Sequence, residues 1–159
     1  MNAPLDHHHL ETASAEGEFA LERSRCIDAF ARLELQVTFA AERLGIGFSR
    51  ECLGRRVASL NKAKPSPLLS KANASKLAVW VEATEALIAR RASIVHAVMG
   101  LGNFSGVWKA SFENAFDVVA KHPIALLVTI EGLRNIRVAV EAQTDELSTL
   151  VKGLGAKIV

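Results

Sequence analysis

Apolar residues recur at three- and four-residue spacing in three separate stretches, and that period restricts the fold more than any other feature of the chain. Cys26, Phe30, Leu33, Val37, Ala40 and Leu44 make one stripe. Leu77, Trp80, Ala83 or Thr84, Leu87, Arg91, Ile94 and Val98 make a second. Leu133, Ile136, Val140, Leu147, Leu150 or Val151, and Leu154 make a third. A helix brings residues at this spacing onto one face, which must then be buried against another element.

The boundaries follow from local chemistry. The first helix is expected from about Glu16 to Leu44, with Gly45 where a helix C-terminus favours glycine. Leu35 and Phe39 widen its apolar surface, enough for a second neighbour or a second chain. Ser49 can cap a shorter helix that turns Leu53, Val57 and Leu60 inward, and Lys64-Pro65-Ser66-Pro67 ends it. The third helix is expected from about Ser75 to Val98, capped by Asn73 or Ser75. Thr129 can cap the last, which Gly153 and Gly155 end.

Between Gly100 and Pro123 the period changes. Gly100, Gly102 and Gly106 interrupt the helix, and Phe104, Trp108, Ala110 and Phe112 then alternate with Lys109, Ser111 and Glu113. A small β-hairpin turning at Glu113-Asn114, with Phe116 to Val119 returning, fits this pattern; an irregular loop with one helical turn is the rival. Such a hairpin must lie against the helices. The expected fold is therefore all-α: a four-helix bundle with a hairpin or irregular insertion before the last helix. Residues 1–15 lack periodicity and read as a flexible tail, leaving 16–159 as one domain.

Composition agrees with that outline and narrows the setting. Half of the 159 residues are hydrophobic, so a core can form without metals or disulfides, and tyrosine is absent. The net charge is only +2, but Arg50, Arg55, Arg56, Lys62, Lys64, Lys71 and Lys76 span a segment whose one acid is Glu51. That local excess can attract a polyanion or simply face water. Cys26 and Cys52 fall on apolar helical positions and read as buried free thiols of a reducing cytoplasm. No apolar run approaches the roughly 20 residues of a membrane span, so no membrane partner is expected. His7, His8 and His9 lack a carboxylate or cysteine framework, and no metal or other cofactor is implied.

Chemistry concentrates in Ala89-Arg90-Arg91-Ala92-Ser93-Ile94-Val95-His96. Arginine offers a fixed fork of donors suited to phosphate, and histidine moves protons near neutral pH. Together they suit phosphodiester cleavage. Arg91 also occupies a core-facing slot in the helical register. On an ideal helix, however, Arg91 and His96 are separated by about 140° of rotation, and Arg90 and His96 by about 240°. Fraying near His96, or a second subunit, would be needed to unite them. The plain alternative pairs Arg91 with Glu82 or Glu85 and lets His96 end the helix favourably. Arg134 and Arg137 can line a basic cleft or pair with Glu131 and Glu141. His122, beside Pro123, reads as a loop residue.

An Arg-x4-His run on the third helix of a small helical protein resembles the HEPN superfamily (higher eukaryote and prokaryote nucleotide-binding domains), whose members share an Arg-x4-6-His motif. Arg91 to His96 matches with four intervening residues and Arg90 to His96 with five, and the resemblance covers roughly residues 16 to 152. It implies a dimer that binds RNA or a nucleotide, either as a metal-independent endoribonuclease of toxin–antitoxin or antiviral type or as an inactive binding or dimerisation module, with a neutralising antitoxin or other protein as partner. Arg91 would hold the scissile phosphate, His96 would act as acid or base, and Arg90, Arg134 and Arg137 would bind substrate. Active members commonly carry a polar residue directly after the motif arginine. This chain has Ala92 there, or Arg91 if Arg90 is counted as the motif arginine. The competing expectation is a non-catalytic helical module for oligomerisation or protein interaction, in which Arg91 is structural.

Overall fold

The computed structural model describes residues 7–47, 51–113 and 126–151, with side chains from residue 11 onward. Helix α1 spans His7–Arg43, α2 Leu53–Ser59, α3 Lys71–His96 and α4 Ile130–Leu150. Strands β1 (Val98–Phe104), β2 (Val107–Glu113) and β3 (Leu126–Thr129) form an antiparallel sheet in that order.

The helices form where the apolar period requires them. Phe30, Leu33, Val37, Leu77, Trp80, Leu133, Val140 and Leu147 are all buried in one core. Each large side chain removed from water contributes roughly 2 kcal/mol. The helix α1 ends in a Schellman motif: the Ile46 amide donates to Ala41 O at 2.8 Å, the Gly45 amide to Glu42 O at 3.1 Å, and Gly45 takes φ +69°. The α4 cap is as expected, with Thr129 Oγ1 accepting from the Gly132 amide at 3.1 Å. For α3 the cap is Ser70, which accepts from the Asn73 amide. Asn73 itself reaches across to donate to Leu150 O at 3.0 Å. Trp80 Nε1 donates to Gln143 O at 2.8 Å, so α3 and α4 run antiparallel, with their polar groups paired along the seam.

Four corrections to the sequence reading follow. The molecule is not an all-α four-helix bundle: among the described residues four helices share the core with a three-stranded sheet, and α2 is only 7 residues long. The physical reason lies in the sheet's two faces. Met99, Leu101, Ala110, Phe112, Leu126 and Val128 alternate onto one face and complete the helical core. The sheet is a wall of the core rather than an insertion beside it. Second, β2 also pairs with a strand that precedes it, β1, through a turn at Ser105-Gly106 that the sequence reading did not foresee, while the expected turn at Glu113-Asn114 runs into residues outside the described ones. Both Ser105 and Gly106 have positive φ, +53° and +84°, the type I′ geometry that matches strand twist. Gly100 and Gly102 lie within β1 rather than in a helix-breaking loop.

Third, α1 begins at His7, so residues 7–15 are helical where a flexible tail was expected. Fourth, Cys26 is buried but Cys52 is exposed, at the N-cap of α2. Ser49, residues 1–6, Asn114, Phe116 to Val119, His122, Gly153, Leu154 and Gly155 lie outside the described residues. Among the described residues no helix is long and apolar enough to cross a membrane.

Candidate functional site

Arg91 is held within its own chain. Its Nη2 lies 3.1 Å from Glu34 Oε2 on α1, while Arg56 Nη2 on α2 lies 3.2 Å from Glu34 Oε1. Arg56 is fixed further: Nε donates to Glu51 O at 2.7 Å and Nη1 to Thr38 Oγ1 at 2.9 Å. Three helices thus meet on one carboxylate. Arg91 Nε is buried with no hydrogen-bond partner, so Glu34 satisfies only part of the guanidinium. Neither Glu82 nor Glu85 is the partner; both are exposed. The pairing with Glu34 closes a helix–helix seam, which is how an arginine can occupy a core-facing register.

His96 is the last residue of α3 and is exposed, as is Arg90. The helix does not fray before it. Arg23 on α1 donates through Nε to Ile94 O at 2.9 Å and through Nη2 to Ala97 O at 2.7 Å, capping the end of α3 with a cation. The Arg23 guanidinium also lies 5.6 Å from the Phe112 ring centroid, tying that helix end to the sheet. Because the helix is continuous from Arg91 to His96, the rotation of about 140° between them stands. One protomer does not bring them together.

Arg134 and Arg137 form a separate group around Glu22 of α1. Arg137 Nε donates to Glu22 Oε1 at 2.6 Å, and its Nη1 lies 3.0 Å from Glu141 Oε2. Arg134 lies 3.5 Å from Glu131 and 3.9 Å from Glu22, and Arg25 lies 3.4 Å from Glu22. The Glu22 side chain is only 3% exposed. Burial pushes its pKa up, but hydrogen bonds and charge from Arg137 and Arg25 outweigh this and hold it below the ordinary carboxylate value. Cys26, one turn on, donates to Leu133 O at 3.3 Å, and burial, reinforced by the Glu22 charge, pushes its thiol up to about 11. Glu34 and Glu22 are twelve residues apart on α1, or about 18 Å along the helix and about 120° around it. Arg91 and the Arg134–Arg137 pair therefore do not share a site.

The cleft beside Arg137, about 240 Å³, is lined by Arg25, Asp28, Ala29, Arg32, Arg137 and Glu141. Its mixed signs do not select an anion, and neither Arg91 nor His96 lines it. The residues that sequence reasoning missed are Glu34, Glu22 and Arg23. Their pairings with Arg91, Arg137 and the end of α3 span long sequence separations, so helical periodicity carries no signal for them. No protein-family model matches the chain, and neither a curated protein nor a solved structure shows significant similarity to it.

Proposed function

We propose that this protein is a non-catalytic interaction module that presents its sheet to a protein partner. The observation that carries the reading is the outer sheet face, where Val98, Phe104, Val107 and Leu127 are 77%, 50%, 48% and 49% exposed. Apolar side chains grouped on one rigid face, rather than scattered singly, mark an interaction surface. The commitment of Arg91 to Glu34 supports the same reading, because it gives that arginine a structural task. The two free cysteines fit a reducing, cytoplasmic setting.

A photo-crosslinking residue at Leu127 is expected to trap a protein of defined mass in cells. The same residue at exposed Glu82 is expected to trap none. Equal trapping at both positions would remove the case for the sheet.

The HEPN-like alternative, RNA binding with metal-independent cleavage across a dimer, draws support from the exposure of both Arg90 and His96 near the end of α3. Its test is cleavage of single-stranded RNA in EDTA by the native protein beside His96→Ala. Products that disappear in the variant would establish the nuclease and overturn the non-catalytic reading. Identical traces from the two proteins would eliminate His96 as a catalytic residue.

A further inference from the structure

We propose that the partner of this sheet is a second copy of the chain, docked face to face with β2 of one copy antiparallel to β2 of the other. The inference rests on the interaction-module reading and names its partner. Directly paired residues of an antiparallel ladder project from the same side of a sheet. The pairs Val98–Glu113, Gly100–Ser111, Gly102–Lys109 and Phe104–Val107 therefore share one face, joined by Leu127 and Thr129 opposite Ser111 and Lys109. The other face is the core. Val98, Phe104, Val107 and Leu127 are the exposed apolar side chains of this face; the Phe104 ring folds back over Gly102, with Lys109 Nζ 5.7 Å from its centroid, and the Ser111 hydroxyl lies over Gly100.

Charge selects the occupant. Among the described residues the outer face carries two charged side chains, Lys109 and Glu113, placed symmetrically on β2 on either side of Ser111. A two-fold axis that sets Ser111 over Ser111 with the strands antiparallel brings Lys109 of each copy against Glu113 of the other. Running the strands parallel would instead oppose lysine to lysine and glutamate to glutamate, which is unfavourable. A face whose own charges complement one another under a two-fold fits an isologous dimer better than an unrelated partner.

The same operation lays β3 over β3, so Leu127 meets Leu127 near the axis. It also carries the Phe104–Val107 tip toward the His96 end of the other copy, because Phe104 and His96 each lie four residues from Gly100, on opposite sides. Sheets packed this way sit about 10 Å apart, within reach of these side chains.

The test is sedimentation velocity of the full chain over a micromolar concentration series. The native protein is expected to dimerise, and Lys109→Glu or Glu113→Lys alone to weaken the dimer about tenfold. The double variant, which exchanges the two charges, is expected to recover native affinity to within about threefold. Val138→Asp, on the exposed side of α4, should leave the dimer unchanged, and circular dichroism checks that each variant is folded.

A dimer indifferent to all these substitutions would overturn the face assignment while leaving self-association intact. Failure of the double variant to recover would overturn the antiparallel arrangement. A monomer at every concentration would overturn the second copy as partner, whereas Leu127 crosslinking to a different protein would keep the module reading alive.

Discussion

Arg91 shows how one residue can be read correctly in place and wrongly in purpose. Its core-facing register is visible in the spacing of Leu77, Trp80, Leu87 and Ile94, but the carboxylate that makes the position tolerable lies 57 residues away, on α1. Nothing near it in sequence points to Glu34. Both partners are partly exposed, at 26% and 29% of side-chain surface, so solvent weakens the pair. Glu34→Gln is expected to cost about 1 kcal/mol in urea unfolding, because it leaves Arg56 and Arg91 facing each other without the anion between them. Adding Arg91→Met to Glu34→Gln should cost less than the sum of the single changes, since the second change removes the repulsion created by the first. Strict additivity would show that Arg91 is not held by Glu34 and would return it to consideration as a ligand-binding group.

At the scale of elements, the long helices were legible and the sheet was only half so. A helix of 21 to 37 residues repeats its apolar signal over many turns, whereas β3 has four residues and no period to detect. The Ser105-Gly106 dipeptide was a usable turn signal. Gly100 and Gly102 obscured it, because glycine within a strand looks the same as glycine in a loop. Asn103 Oδ1 accepts from the Gly106 amide at 2.8 Å, which fixes the turn beyond its backbone preference. Gly106→Ala forces a Cβ into φ +84° and is expected to destabilise by about 1 kcal/mol or more. Ser105→Asn, in contrast, places the residue best suited to positive φ before that glycine and should stabilise by a few tenths of a kcal/mol. Thermal unfolding of the pair measures both, and a neutral Gly106→Ala would contradict the type I′ assignment.

For the whole molecule, the ion cluster between α1 and α4 contributes a pH-dependent part of the stability. Glu22 faces Arg137, Arg134 and Arg25, and its folded-state pKa is lowered. A lowered carboxylate pKa contributes stability that is fully present above the unfolded value of about 4.3 and disappears as pH falls through the folded value. The native chain is therefore expected to lose stability below about pH 5 more steeply than Glu22→Gln. At neutral pH, Glu22→Ala should cost about 2 kcal/mol, because Arg137 loses its buried hydrogen-bond partner and keeps only Glu141. Parallel acid limbs for native protein and Glu22→Gln would show that the cluster does not control the transition.

By itself the sequence determined the three long helices, the Gly45 and Thr129 caps and most of each buried stripe. All of these depend on residues within a few positions of one another, where period and local hydrogen bonding suffice. Only the tertiary structure decided that the sheet is a wall of the core, that Arg91 belongs to Glu34, that Arg137 belongs to Glu22, and that Arg23 stops α3 beside His96. Those outcomes depend on which helix faces approach one another across tens of residues, and a charged side chain carries no mark of the partner it will meet.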